Sequence, residues 1–186
     1  MMLALEALAA ITGLWSVYLV TKQNIWCWPI GLVSVAVAAI VFYDSFLYSD
    51  MILHVYYFGM NVYGWIHWSR KPVGSEALPV STMSVRQNAF WVGFTAIGTV
   101  LWGLVMSKNT QAAFPYGDAF TTVASLVAQW FMAQKRLENW IYWFIIDVVA
   151  ITIYALKGLY LFSGQYFIFL ILCGIGYRDW KKTMAS

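Results

Sequence analysis

Seven stretches of this chain are long enough and apolar enough to cross a lipid bilayer, and together they leave no room for any other architecture. They are Leu3–Val20, Ile25–Tyr43, Met51–Trp68, Asn88–Met106, Asp118–Ala133, Trp140–Leu156 and Leu159–Tyr177. A helix needs about 20 residues to span the hydrocarbon layer, where each backbone N–H and C=O must be satisfied inside its own segment. Seven such helices use about 140 residues, out of 186 in the chain. The expected fold class is therefore all-α: a membrane protein of seven transmembrane helices with no soluble domain. Charge agrees, because only 10% of the residues are charged, against roughly 25% in soluble domains.

Several function classes drop out. The net charge of +3 carries no basic cluster with aromatic interleaving, so no nucleic-acid partner is expected. Cys27 and Cys173 lie inside apolar stretches without metal or disulfide spacing and read as buried small hydrophobes. No cleavable leader is expected, since Glu6 stands where a basic region belongs. There is no phosphate-binding glycine loop, nucleophile elbow or zinc motif. No enzyme and no cofactor are expected.

The loops divide their charges unequally. Lys22, Arg70, Lys71, Arg86, Lys135, Arg136, Arg178, Lys181 and Lys182 fall on one side, and only Lys108 and Lys157 on the other. By the positive-inside rule the first side is cytoplasmic, with the N-terminus outside and the C-terminus inside. Trp26, Trp68, Tyr160 and Trp180 stand at span ends as interfacial anchors. The polar stretch Ser69–Gln87, with Pro72, Gly74 and Pro79, is the expected linker.

Sliding the chain by 112 positions sets Trp28 on Trp140, Ala38 on Ala150, Leu47-Tyr48 on Leu159-Tyr160, Gly64 on Gly176 and Trp68 on Trp180. This reads as a three-plus-one-plus-three arrangement of parallel three-helix repeats. Residues 1–71 form the first repeat, 72–117 the linker and connecting helix, and 118–186 the second repeat. Transporters built from such repeats hold their site near mid-depth.

Asp147 is the residue most in need of explanation. It lies near the middle of the sixth span, where a carboxylate costs about 2.5–3.5 kcal/mol. No Lys or Arg inside any span offers it a partner. Trp140, Trp143 and Asp147 stand at i, i+3 and i+7 and share one helix face. Two indoles and a carboxylate suit a flat cationic ring. His54 and Asn61 share a face of the third span, with Phe58 between them, and Gln129 lies in the fifth; each is a candidate ligand contact or helix–helix hydrogen bonder. Asp118 is expected to cap the fifth helix.

The run Glu138-Asn139-Trp140-Ile141-Tyr142-Trp143-Phe144-Ile145-Ile146-Asp147, followed by Lys157-Gly158-Leu159-Tyr160, resembles the PnuC family of vitamin transporters. So do Asn61-Val62-Tyr63-Gly64-Trp65, and Phe114-Pro115 followed by Asp118. The resemblance implies a fold like a full-length sugar transporter of the SWEET type, assembled as a homotrimer in the inner membrane. It also implies import of nicotinamide riboside or, in a related branch, thiamine, by facilitated diffusion with trapping by a cytoplasmic kinase. The implied substrate contacts are Trp140, Trp143, Asp147, His54, Asn61 and Gln129. Family members that move the riboside commonly carry Asn where this chain has Asp147, and Gln where it has His54. A proton-coupled symporter, a ligand-free membrane scaffold and, third, an intramembrane enzyme are the competing readings.

Overall fold

The structure is a computed structural model that describes residues 2–44, 48–70 and 78–185. Among these residues there are seven α-helices: α1 (Met2–Thr21), α2 (Cys27–Asp44), α3 (Tyr48–Ser69), α4 (Val85–Asn109), α5 (Pro115–Ala133), α6 (Asn139–Leu156) and α7 (Tyr160–Ala185). Leu47 of the sequence match, and Lys71, Pro72 and Gly74 of the expected linker, lie outside the described residues. The helices α1, α2, α4, α6 and α7 are long and apolar enough to cross a membrane by length and composition alone. The other two, α3 and α5, are the ones carrying His54, Asn61 and Gln129. They give up hydropathy for polar side chains.

Several helix ends differ from expectation by a few residues, and three are informative. The start of α4 comes earlier, at Val85, because Ser84 and Gln87 form a capping box: the Gln87 N–H donates to Ser84 Oγ at 3.3 Å and the Ser84 N–H to Gln87 Oε1 at 3.0 Å. Asp118 is not the cap of α5. That helix opens on Pro115, where a missing N–H costs nothing, and the Asp118 N–H already donates to the Phe114 carbonyl inside the first turn. Its carboxylate instead pairs with Lys157 at 3.1 Å. Finally, α7 continues past Tyr177 to Ala185.

The chain divides into two compact units. The first contains Met1–Val80, Ala133–Lys135 and Asp179–Ser186. In it α1 packs on α2, and α2 on α3. Three tryptophans meet here: Trp28 lies edge-on to Trp68 at 5.1 Å, and Trp68 lies 5.7 Å from Trp180. The Trp68 indole N–H donates to the Ala133 carbonyl at 3.2 Å, and that of Trp180 to the Val20 carbonyl at 2.9 Å. Trp68 and Trp180 are buried, so they are packing residues and not interfacial anchors. Trp26 and Tyr160 stay exposed, as anchors should.

Lys135, in the turn after α5, is buried in the first unit. Its ammonium lies 4.8 Å from the Trp68 ring and donates to the Leu78 carbonyl at 2.6 Å. Burial pushes this ammonium down from 10.5 to about 8. Between those values the unfolded chain holds more proton at this site than the folded one, so the group makes the fold more stable as pH rises across the window. Lys135→Met should flatten that rise, measured as thermal unfolding in detergent at both ends of the window.

The second unit contains Ser81–Met132 and Arg136–Arg178. Its centre is Ala124, Ala128 and Ile146, with Phe120, Tyr142 and Trp143 packed against them. Phe131 sits edge-on between Trp91 and Tyr142. The segment before α4 is strapped to the turn before α6: the Leu137 N–H donates to the Ser81 carbonyl at 2.9 Å and the Met83 N–H to Glu138 Oε1 at 2.7 Å.

Local geometry recurs at the sequence offset of 112. Gln23 and Lys135 both take the left-handed conformation, with φ of 53° and 55°. Asn24 N–H donates to the Leu19 carbonyl at 3.0 Å, and Arg136 N–H to the Phe131 carbonyl at 2.9 Å, so α1 and α5 end on the same six-residue closure. Trp28 lies against Gly64 in the first unit and Trp140 against Gly176 in the second. A Cβ on Gly64 would stand 2.5 Å from Trp28 Cζ2, and one on Gly176 2.5 Å from Trp140 Cε2, so both indoles need a bare backbone.

Candidate binding site

Asp147 is 2% exposed, halfway along α6. Its Oδ2 accepts a hydrogen bond from the Cys173 thiol of α7 at 3.3 Å, and no ion pair reaches it among the described residues. A carboxylate buried among apolar helices without a cation is costly to keep charged, and a positive partner would offset that cost.

The two tryptophans above it are not equivalent. Trp140 is 1% exposed and wedged onto Gly176 of α7, the same packing that Trp28 makes on Gly64. Trp143 is only half-buried, packed beside Ala124 and Ala128 of α5, and its indole N–H has no acceptor among the described residues. Trp143 therefore has a partly open ring to offer a ligand, whereas Trp140 is enclosed and shapes the wall. Gln129 follows Ala128 on α5 and is 8% exposed. The second unit thus holds Trp140, Trp143, Asp147 and Gln129.

His54 and Asn61 belong to the first unit. His54 lies 4.8 Å from the Phe42 ring and 5.6 Å from Tyr57. The positions 112 further on, Tyr154 and Tyr166, make a similar ring contact at 5.3 Å, so this spot joins adjacent helices in both units. Asn61 is buried, donates to the Tyr57 carbonyl at 2.8 Å and closes over Gly31 of α2. Phe58, expected between His54 and Asn61 on one face, is exposed.

A cavity of about 470 Å³ opens elsewhere in the second unit. It is lined by residues of the 113–117 segment together with Val148, Val149, Thr152 and Ile153, and by none of the expected site residues. Sequence reasoning passed over Cys173 as a structural hydrophobe. The signal that pointed to it was the 112-residue offset, which sets Cys173 opposite Asn61.

Seven helices, five of them long and apolar enough to cross a membrane, with a carboxylate buried halfway along one of them, fit a multi-pass membrane transporter. The comparisons with known proteins agree. The sequence profile of the nicotinamide mononucleotide transporter family matches residues 3–182, and the chain belongs to that family. It is 32% identical to the nicotinamide riboside transporter PnuC of Escherichia coli (strain K12), over 96% of this chain and 85% of that one. It is 28% identical to the riboflavin/roseoflavin transporter RibM of Streptomyces davaonensis, over 91% and 81% of the two chains. The crystal structure of the vitamin B3 transporter PnuC superposes with a TM-score of 0.78 at 27% identity, covering 97% of this chain and 82% of that chain.

Proposed function

We propose that this protein carries a cationic aromatic vitamin, nicotinamide riboside first, into the cell by facilitated diffusion. The observation that carries the reading is Asp147, buried in an apolar helix with a thiol and, among the described residues, no cation beside it. A pyridinium ring brings the missing positive charge, and the half-buried Trp143 offers it a π-face, an attraction of about 0.5–2 kcal/mol. The kinship with riboside transporters favours this substrate. Thiamine is the second reading, because a carboxylate only accepts hydrogen bonds and suits an exocyclic amine donor.

In this proposal Trp143, Asp147 and Gln129 of the second unit contact the substrate, and Trp140 backs them. The recurring caps and the Trp28 and Trp140 seats support two parallel three-helix repeats joined by α4. The chain works as a homotrimer in the inner membrane, its N-terminus outside, and phosphorylation in the cytoplasm traps the cargo.

The test is calorimetric titration of the purified protein with nicotinamide riboside, thiamine and riboflavin, followed by uptake into liposomes without an ion gradient. Riboside binding and downhill uptake are expected. Tightest binding of riboflavin, a neutral ring, contradicts the charge argument. Uptake that requires a proton gradient replaces facilitated diffusion with symport.

A further inference from the structure

The buried carboxylate has one partner that nothing in the vitamin reading requires. Cys173 Sγ lies 3.3 Å from Asp147 Oδ2, and both residues are buried, at 3% and 2% exposed. We propose that Cys173 is a positioning residue for the substrate: its thiol holds Asp147 Oδ2 and turns the other oxygen toward the cationic ligand. The inference rests on the reading of Asp147 as the substrate's counter-charge.

Three observations support it. First, α7 grips α6 through one face: Gly176 receives Trp140, and Cys173, one turn earlier, receives Asp147. Trp140 and Asp147 are themselves two turns apart on α6, so the two contacts set the rotation of the substrate-bearing helix. Second, an S–H is a weak donor. An ammonium at this distance would cancel the carboxylate's charge and compete with a cationic ligand, whereas a neutral donor such as the thiol orients it and leaves most of its negative charge unanswered. Third, the position 112 residues earlier is Asn61, whose side chain donates to the Tyr57 carbonyl and closes over Gly31 of α2. The same register in each unit therefore carries a buried side chain that bears on the neighbouring helix.

The experiment uses the full chain in detergent with nicotinamide riboside as the probe. Cys173→Ala removes the donor and should weaken binding about 3- to 10-fold, the worth of one modest hydrogen bond. Cys173→Ser keeps a donor and should bind within about 3-fold of the parent. A structural readout alone would not separate positioning from packing, so the thiol is also observed directly. In a Cys27→Ala background Cys173 carries the sole S–H group, and its infrared stretching band should move when Asp147→Asn weakens the acceptor, and again when riboside saturates the site.

Unchanged affinity in Cys173→Ala, equal losses in Cys173→Ala and Cys173→Ser, or a band indifferent to Asp147→Asn and to ligand would each overturn the thiol's role while the transport reading stands. No binding of any cationic vitamin by the parent protein removes the transport reading, and this inference with it.

Discussion

Asp147→Asn weakens binding of a cationic vitamin by about 10- to 100-fold, the loss expected when a hydrogen bond to a charged group becomes a neutral one. The same substitution leaves the fold as stable as before, or more so. A carboxylate buried at mid-depth is a cost that the folded protein bears, and its hydrogen-bond donor, Cys173, can still reach an amide oxygen. Titration calorimetry and thermal unfolding on one preparation measure both halves. The pairing of weaker binding with undiminished stability is the signature of a residue kept for its ligand. If Asp147→Asn binds as tightly as the parent, the carboxylate is not the counter-charge, and a family pattern with Asn at this position becomes the better guide to the site.

The tryptophans separate in the opposite sense. Trp28→Ala and Trp140→Ala should each lower stability by about 3 kcal/mol, because each leaves a hole where an indole filled the gap above a glycine. The figure is taken from the lower part of the range, since in lipid the loss is of packing contacts and not of hydrophobic transfer. Trp143→Ala should cost less stability than either, because its ring is only half-buried, yet should weaken vitamin binding severalfold through the lost π-face. Thermal unfolding of the three variants beside their ligand titrations decides the matter. Should Trp140→Ala lose affinity while melting like the parent, the picture of two indoles stacking on the substrate is restored, and the packing role assigned here to Trp140 is wrong.

Much of this was legible along the chain. Apolar length alone locates five of the seven helices, because a helix in lipid satisfies its own backbone and needs no distant partner to exist. Asp147, His54, Asn61 and Gln129 stand out for the same reason: a polar side chain inside an apolar run is anomalous whatever surrounds it. Helix ends were less legible. Beyond Tyr177, α7 carries Trp180, whose indole N–H donates to the Val20 carbonyl, a bond between residues far apart in the chain. Asp118 looked like a cap until Lys157, 39 positions away, claimed its carboxylate.

By itself, then, the order of residues settled the class of protein, which polar groups stand inside apolar runs and the recurrence at 112 positions. Tertiary structure alone decided which tryptophan is a wall and which is open, that Trp68 and Trp180 are buried, and that a thiol faces Asp147. The physical reason is range. Hydropathy and helical phase are summed over neighbours in sequence, whereas a side chain's exposure and hydrogen-bond partner are set by whichever distant helix packs over it, as α7 does over Trp140 and Asp147.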